Sequence, residues 1–195
     1  MKPVKFYTLI LLFCTPSLLF AGNLRQPDLN QLQNGDLIFR TGSGFVSDFA
    51  RNFSSHDKRF SHVGIISITA TTINVIHSVH DDEKQYNGVV TEPVTAFLQA
   101  SSNWAVYRLP LTPLQQTRLT QSARIFAKQK IPFDSKFDLM TTNNFYCTEL
   151  IWHAAHKASP DRNLIKNRTL RSGMSFISIE DLYREGNAKL VESLY

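Results

Sequence analysis

Two apolar segments in the middle of the chain place the strongest limit on its fold. Residues 60–68 and 71–79 are both rich in Val and Ile, and only a short turn separates them. Runs of β-branched residues of this length, joined by a short turn, predict two neighbouring antiparallel strands. His62 lies near the start of the first run and His77 lies in the second. Hairpin pairing therefore predicts that these two histidines lie close together.

The rest of the chain mixes strand and helix patterns within one domain. The 195 residues are 43% hydrophobic and 19% charged, which is an ordinary globular composition and enough material for one core. No internal repeat divides the sequence. Further strands are predicted within residues 35–40, 89–92, 104–109, 174–179 and 188–191, and helices within 45–53, 112–130, 145–155 and 179–184.

The N-terminal segment has the pattern of a secretory signal peptide. Lys2 and Lys5 precede an uncharged run over residues 7–20, and Ala21 follows as a small residue. We therefore predict a signal peptide at residues 1–21, a single mature domain at residues 22–195, and a periplasmic or secreted location. The run is too short to span a bilayer comfortably.

Two alternatives to cleavage after Ala21 are open. Leu19 occupies a position where the cleavage pattern prefers a small residue, so an uncleaved membrane anchor is one alternative. Lipidation of Cys14 is the other, and the bulky Phe13 before it disfavours that alternative.

Signal removal changes the charge and the cysteine count of the mature chain. The loss of Lys2 and Lys5 lowers the formal charge from +5 to +3, which is no nucleic-acid signature but favours peripheral contact with an anionic envelope surface. Cys147 becomes the sole cysteine, so the mature domain holds no internal disulfide. A lone cysteine in an exported protein is either buried and inert or kept for its reactivity.

Cys147 lies at the predicted start of a helix. Asn143 or Asn144 is the expected N-cap, and no Pro or Gly interrupts residues 145–155. The backbone N–H groups and positive dipole end of a first turn stabilise a thiolate. A thiol nucleophile needs a base, and His62 is the best candidate because it opens an apolar strand after a polar loop. No role is assigned to the remaining histidines, which are His56, His80, His153 and His156.

Four segments, taken in order, resemble the permuted papain-like amidases of the YiiX/YaeF kind. These are relatives of the NlpC-type cell-wall peptidases and of lecithin retinol acyltransferase. The matching segments are residues 34–39, which contain a Gly-Asp pair before an apolar strand; 60–65, with His62; 132–138, with two Phe-Asp pairs; and 145–150, with Cys147. Each segment alone is weak, but the ordered set, with His before Cys, is fairly specific.

The resemblance implies an α+β, circularly permuted papain-like (NlpC-type) fold, with an antiparallel sheet packed against the helix that carries the nucleophile. It implies that Cys147 is the nucleophile, that His62 is its base, and that a third polar residue follows on the next strand. That position falls on His77, where many relatives carry Glu, and Glu92 is the second choice for the third residue. The Cys147 backbone N–H would donate to the oxyanion.

Two further residues are candidates for lining the site. Tyr146 directly precedes Cys147, and Asp36 belongs to the opening segment of the resemblance. Each also has an alternative, purely structural role. Tyr146 would pack in the core, and Asp36 would cap the turn at Gly35. The structural role is favoured for Asp36.

These roles predict a cysteine amidase or peptidase that cleaves amide bonds of the cell envelope, such as those of peptidoglycan. The reaction would pass through an acyl-enzyme intermediate and would need no cofactor. A lipid or ester hydrolase or acyltransferase of the same fold is the first alternative, for which the Phe-rich residues 45–60 would form an apolar entrance. A non-catalytic ligand-binding domain is the second. A metal site is a further class, but no tight ligand spacing supports it. Its ligands would be His62, His77, His80 and Cys147.

Overall fold

The computed structural model describes residues 26–42, 45–81, 86–99, 101, 103–160, 164–170, 173–184 and 187–195. The predicted signal peptide lies outside these residues and stays a prediction. The strands are β1 (Leu37–Arg40), β2 (His62–Ile68), β3 (Ile73–Asp81), β4 (Tyr86–Pro93), β5 (Trp104–Arg108), β6 (Arg168–Thr169), β7 (Ser175–Phe176) and β8 (Lys189–Leu194). The helices are α1 (Phe45–Phe53), α2 (Val94–Gln99), α3 (Pro113–Gln129) and α4 (Cys147–Ala158), with a 3-10 turn at Glu180–Leu182.

A six-stranded antiparallel sheet in the order β4-β3-β2-β1-β5-β8 forms the centre of the fold. The predicted hairpin of β2 and β3 is present, with Ile65 opposite Ile76. Strands β6 and β7 form a separate pair. The predicted combination of an antiparallel sheet with packed helices, an α+β fold, is confirmed.

The two faces of the sheet bury different sets of side chains, because successive residues of a strand point to opposite faces. Leu37, Phe39, Val63 and Ile65 share a core with residues of α3 and α4. On the other face, Ile38, Ile66 and Val75 pack against Phe97 and Leu98 of α2. The start of β2 adjoins the start of α4, where the Val63 backbone N–H faces the Cys147 thiol.

The C-terminal region differs from the prediction for residues 174–184. Only Ser175–Phe176 is a strand, and a 3-10 turn replaces the predicted helix. Within this turn, the buried Glu180 carboxylate accepts backbone N–H groups of residues 55, 56 and 57 at 2.7 to 3.0 Å. These contacts fix the loop that leads from α1 into β2, and therefore the approach to His62.

No helix in the described part of the chain has both the length and the apolar content that a membrane span requires.

Candidate active site

Cys147 is the first residue of α4, as the sequence predicted. The N-cap is Tyr146 rather than Asn143 or Asn144, so that expectation is wrong. The cause is Glu149, whose Oε2 accepts the Tyr146 backbone N–H at 3.2 Å and fixes where the helix begins.

The Cys147 thiol is buried, with 6% of the residue exposed. Burial raises the pKa of the thiol to about 11, although backbone N–H groups of Thr148, Val63 and Cys147 itself, and the charge of Arg40, act in the opposite direction. The resting thiol is therefore neutral, because desolvation outweighs the helix terminus. The contact with the Val63 N–H links the thiol to β2, next to His62.

His62 and His77 form a direct pair. His62 Nε2 lies 2.8 Å from His77 Nδ1, and the two rings meet edge to face. The hairpin register explains the contact, because it places His77 diagonally across from His62 and next to Gly64. A Cβ on Gly64 would lie 3.1 Å from the His77 Cβ and 2.3 Å from Val75 Cγ1, so glycine leaves room for the pair.

Glu92 extends this pair into a row of three polar side chains. His77 Nε2 lies 3.0 Å from Glu92 Oε1, but this oxygen does not lie in line with an N–H bond on His77 Nε2. Glu92 is on β4 and its side chain is 34% exposed, so the row leads through the buried His77 to the solvent-exposed edge at Glu92. The sequence offered His77 or Glu92 as alternatives, whereas the structure places both in the same row.

Both histidines are held in the neutral state. Burial lowers the pKa of His62 well below its ordinary value, and the positive charge of Arg40 and the proximity of His77 add to this effect. Burial also lowers the pKa of His77, while Glu92 raises it in part. An unprotonated His62 can accept a proton, which is what a neutral thiol requires of its partner.

Arg40 and Phe97 complete the surroundings of the pair, and sequence reasoning missed both. Arg40 is directly opposite His62 in the β1–β2 pairing, and its guanidinium carbon lies 5.0 Å from the centre of the Phe97 ring. The same ring stacks on His62 at 5.6 Å and meets His77 edge to face at 5.2 Å. A signal for Arg40 was present in the sequence: a basic residue ends an otherwise apolar strand.

The two predicted lining residues have different placements. Asp36 is fully buried and binds the Arg108 guanidinium through both carboxylate oxygens at 2.7 and 2.8 Å. It lies directly before β1, and these contacts agree with the structural role that the sequence favoured. Tyr146 is buried beside Cys147, and its hydroxyl oxygen accepts the backbone N–H of Ile177 at 2.9 Å.

The ligand set considered for a metal does not assemble as a cluster. His80 packs against Phe133 with ring centres 5.4 Å apart. Among the described residues, no group of three or more His, Cys, Asp or Glu side chains is arranged to hold a metal ion.

A cysteine at the start of a helix, next to an antiparallel sheet that carries a histidine with an orienting partner, is the arrangement of papain-like cysteine hydrolases. The family model described as "permuted papain-like amidase enzyme, YaeF/YiiX, C92 family" matches residues 31–192. The chain belongs to this family and is a cysteine-dependent hydrolase.

The solved structures agree on the fold. The chain is similar to the crystal structure of metalloprotein YiiX from Escherichia coli O157:H7, with a TM-score of 0.71 and 18% sequence identity. The alignment covers 85% of this chain and 99% of that chain. A comparison with curated proteins gave no match. The permuted papain-like fold that the sequence predicted is thus confirmed.

Proposed function

We propose that Cys147 is the nucleophile of this hydrolase, that His62 is its general base, and that His77 and Glu92 orient His62. The observation that carries the proposal is the row from His62 through His77 to Glu92, with contacts of 2.8 and 3.0 Å. It begins on β2 next to Val63, whose backbone N–H faces the Cys147 thiol.

The row supports Nδ1 of His62 as the basic nitrogen. The Glu92 carboxylate favours a proton on the nearer nitrogen of His77, which is Nε2. His77 Nδ1 is then an acceptor and takes the proton of His62 Nε2. His62 Nδ1 is then the unprotonated nitrogen of the ring, and we assign to it the thiol proton.

The reaction follows from these protonation states. As the Cys147 thiol transfers its proton to His62 Nδ1, sulfur attacks the substrate carbonyl carbon and forms a C–S bond. The Cys147 backbone N–H and the positive charge of Arg40 stabilise the oxyanion. His62 then returns the proton to the leaving amine as the C–N bond breaks. Water, deprotonated by His62, hydrolyses the acyl-enzyme.

For the substrate, we propose amide bonds of the cell envelope, with peptidoglycan stem peptides first. Two observations support this choice: the family is described as an amidase, and residues 1–21 have the pattern of an export signal. The periplasm, or the space outside the cell, is the matching location. Peripheral contact with an anionic envelope surface fits the modest positive charge of the mature chain.

The test is product analysis after incubation with defined peptidoglycan fragments. We expect new free amines from the wild type and none from Cys147→Ala, and a loss of about 10²- to 10⁴-fold in His62→Ala. His156→Ala is the matched control, because this histidine is exposed on the far part of α4. Equal product from wild type and Cys147→Ala would refute the assignment.

A lipid or ester hydrolase of the same mechanism is the second candidate. The observation that favours it is a group of aromatic rings next to Cys147, which includes Phe53 and Phe137. A parallel incubation with phospholipid vesicles decides between the two, since lysophospholipid or free fatty acid would appear in place of new amines.

A further inference from the structure

Helix α3 carries the positive excess of the protein. Residues 113–130, which form this helix and its C-cap, contain four Lys or Arg side chains and no Asp or Glu. The basic residues are Arg118, Arg124, Lys128 and Lys130. Residues 22–195 as a whole have a formal charge of only +3, so the rest of that range is slightly negative. The positive charge is therefore concentrated on one element.

The exposed face of α3 combines cations with aliphatic side chains. Leu114, Arg118, Ile125 and Lys128 follow one another at intervals that place them in one line along the helix. Leu114 is 60% exposed and Ile125 is 54% exposed, and both cations are also exposed. At a rise of about 1.5 Å per residue, the line extends over about 21 Å. We call these four residues the α3 face.

The opposite side of the helix holds the α3 face in position. Leu119, Ala123 and Phe126 are buried in the core that α3 shares with α4. The Thr112 hydroxyl oxygen accepts the Gln115 backbone N–H at 3.3 Å and caps the start of the helix. The α3 face is therefore a pre-formed surface of a stable helix, and it needs no folding step in order to bind a partner.

The charges of α3 are not neutralised by acidic side chains of the described residues. Arg124 binds neutral groups, with Nε donating to Ser67 Oγ at 2.9 Å and Nη2 donating to the Ile68 carbonyl oxygen at 3.0 Å. Arg118 and Lys128 form no ion pair within the described part of the chain. The helix therefore presents a positive potential to its surroundings, which is complementary to an anionic surface.

The two aliphatic residues of the α3 face decide between a lipid surface and a soluble anionic polymer. A soluble polymer offers Leu114 and Ile125 no apolar environment. The boundary between lipid headgroups and acyl chains takes up aliphatic side chains, while neighbouring cations bind the headgroup phosphates. The α3 face has both kinds of side chain in one line, so an anionic phospholipid surface is the partner that its chemistry favours.

We infer that the α3 face docks the protein on an anionic phospholipid membrane. Leu114 and Ile125 enter the boundary between headgroups and acyl chains, and Arg118 and Lys128 bind headgroup phosphates. The inference names the surface that makes the peripheral contact proposed above. It depends on no catalytic residue, so it and the proposed hydrolase mechanism can fail separately.

The test is the binding of the exported, purified protein to two kinds of lipid vesicle, measured by co-sedimentation. One kind contains equal parts of phosphatidylglycerol and phosphatidylcholine, and the other contains phosphatidylcholine alone. We expect the protein to bind the anionic vesicles, with an affinity that falls as the salt concentration rises. Binding to the neutral vesicles should be at least about tenfold weaker.

Two double variants test the two components of the α3 face. Arg118→Gln combined with Lys128→Gln should weaken binding to the anionic vesicles about 20-fold, because each basic residue near such a surface contributes about fivefold. Leu114→Ser combined with Ile125→Ser should weaken binding at least about fourfold, because even one methylene group removed from water contributes about that much.

The matched control is Lys58→Gln combined with Lys166→Gln, which removes the same charge from two exposed residues. These residues adjoin the segments that bind Glu180, which are residues 55–57 and Arg168, and they are not part of α3. The control should change binding by less than about twofold, because salt screens charges that lie far from the membrane contact. Circular dichroism checks that all three double variants remain folded.

Three results would overturn the inference. The first is no binding to anionic vesicles, or equal binding to both kinds of vesicle. The second is a charge variant of the α3 face that binds no more weakly than the Lys58 and Lys166 control. The third is undiminished binding by the serine variant, which would mean that the face recognises charge alone and fits a soluble anionic polymer. The release of amines from soluble peptidoglycan fragments tests the proposed function separately, and the α3 variants should retain it.

Discussion

The protonation state of Cys147 provides a quantitative prediction for its reaction with iodoacetamide. Only the thiolate reacts, so the rate follows the thiolate fraction. Burial gives this thiol a pKa of about 11. At pH 7.5 about 0.03% of Cys147 is then thiolate, against about 10% for an unperturbed cysteine with pKa of about 8.5. Cys147 should therefore react about 300-fold more slowly than a free thiol.

The assay is the rate of carbamidomethylation by intact mass, measured from pH 6 to pH 10.5. The rate should rise about tenfold per pH unit across this whole range, because the pKa lies above it. The slope is the informative quantity, since limited access to a thiol that is 6% exposed lowers the rate equally at every pH. His62→Ala should change the profile little, because the resting imidazole is neutral and forms no ion pair with the thiol.

A rate that levels off below about pH 7 would refute this reasoning. It would mean that the thiolate is already formed at rest, as in the thiolate–imidazolium pair of papain. The plateau would then disappear in His62→Ala. Either result is compatible with the proposed role of Cys147 as the nucleophile and decides how the thiol is activated.

Three further predictions concern the surroundings of the site. Burial raises the pKa of Glu149 to about 9, so the stabilising contribution of this residue is complete below about pH 4.5 and is lost as the pH rises through 9. In urea unfolding, the free energy of unfolding of the wild type should therefore fall by several kcal/mol relative to that of Glu149→Gln between pH 5 and pH 9.5. A constant difference between the two proteins would contradict this. Arg40→Gln removes a positive charge that lowers the pKa of His62, so the acidic limb of the plot of kcat/KM against pH should move to higher pH. An unmoved limb would count against an effect of Arg40 on the protonation of His62. Gly64→Ala should lower the free energy of unfolding in urea by about 1 to 3 kcal/mol through overpacking, and it should lower kcat by displacing His77. Full activity with unchanged stability would show that the pair of His62 and His77 does not need this glycine.

Local patterns predicted the elements that carry the site. The β2–β3 hairpin followed from two apolar runs and a short turn, and the register then placed His77 beside His62. The helix that begins at Cys147 followed from an uninterrupted apolar face. In both cases, the deciding interactions join residues that are at most 15 apart along the chain, so local patterns contain them.

Contacts between distant parts of the chain could not be predicted in the same way. Arg40 and Phe97 meet the histidine pair because β1 lies beside β2 and because α2 packs on that face, and single-sequence patterns contain no information on such pairings. The N-cap was wrong for a related reason. Asn is favoured by average capping preference, but the buried Glu149 forms the contact that decides the start of the helix.

The prediction that the helix terminus stabilises a Cys147 thiolate was limited by the same lack of information on distant contacts. A helix N-terminus does lower the pKa of Cys147, as the sequence indicated, but the opposing cost of burial depends on how tightly the domain packs around the thiol. The sequence places the residue in the first turn of α4. The depth of its burial, which decides the sign of the pKa shift, is a property of the assembled core.

The most direct test of the proposed mechanism is acid-quenched peptide mapping of the enzyme during turnover of an amide substrate found by product analysis. We predict an acyl group of the substrate on the Cys147 peptide, formed about 10²- to 10⁴-fold more slowly in His62→Ala and absent in Cys147→Ala. Turnover that persists in Cys147→Ala, or an acyl group on a different residue, would contradict the assignment of Cys147 as the nucleophile.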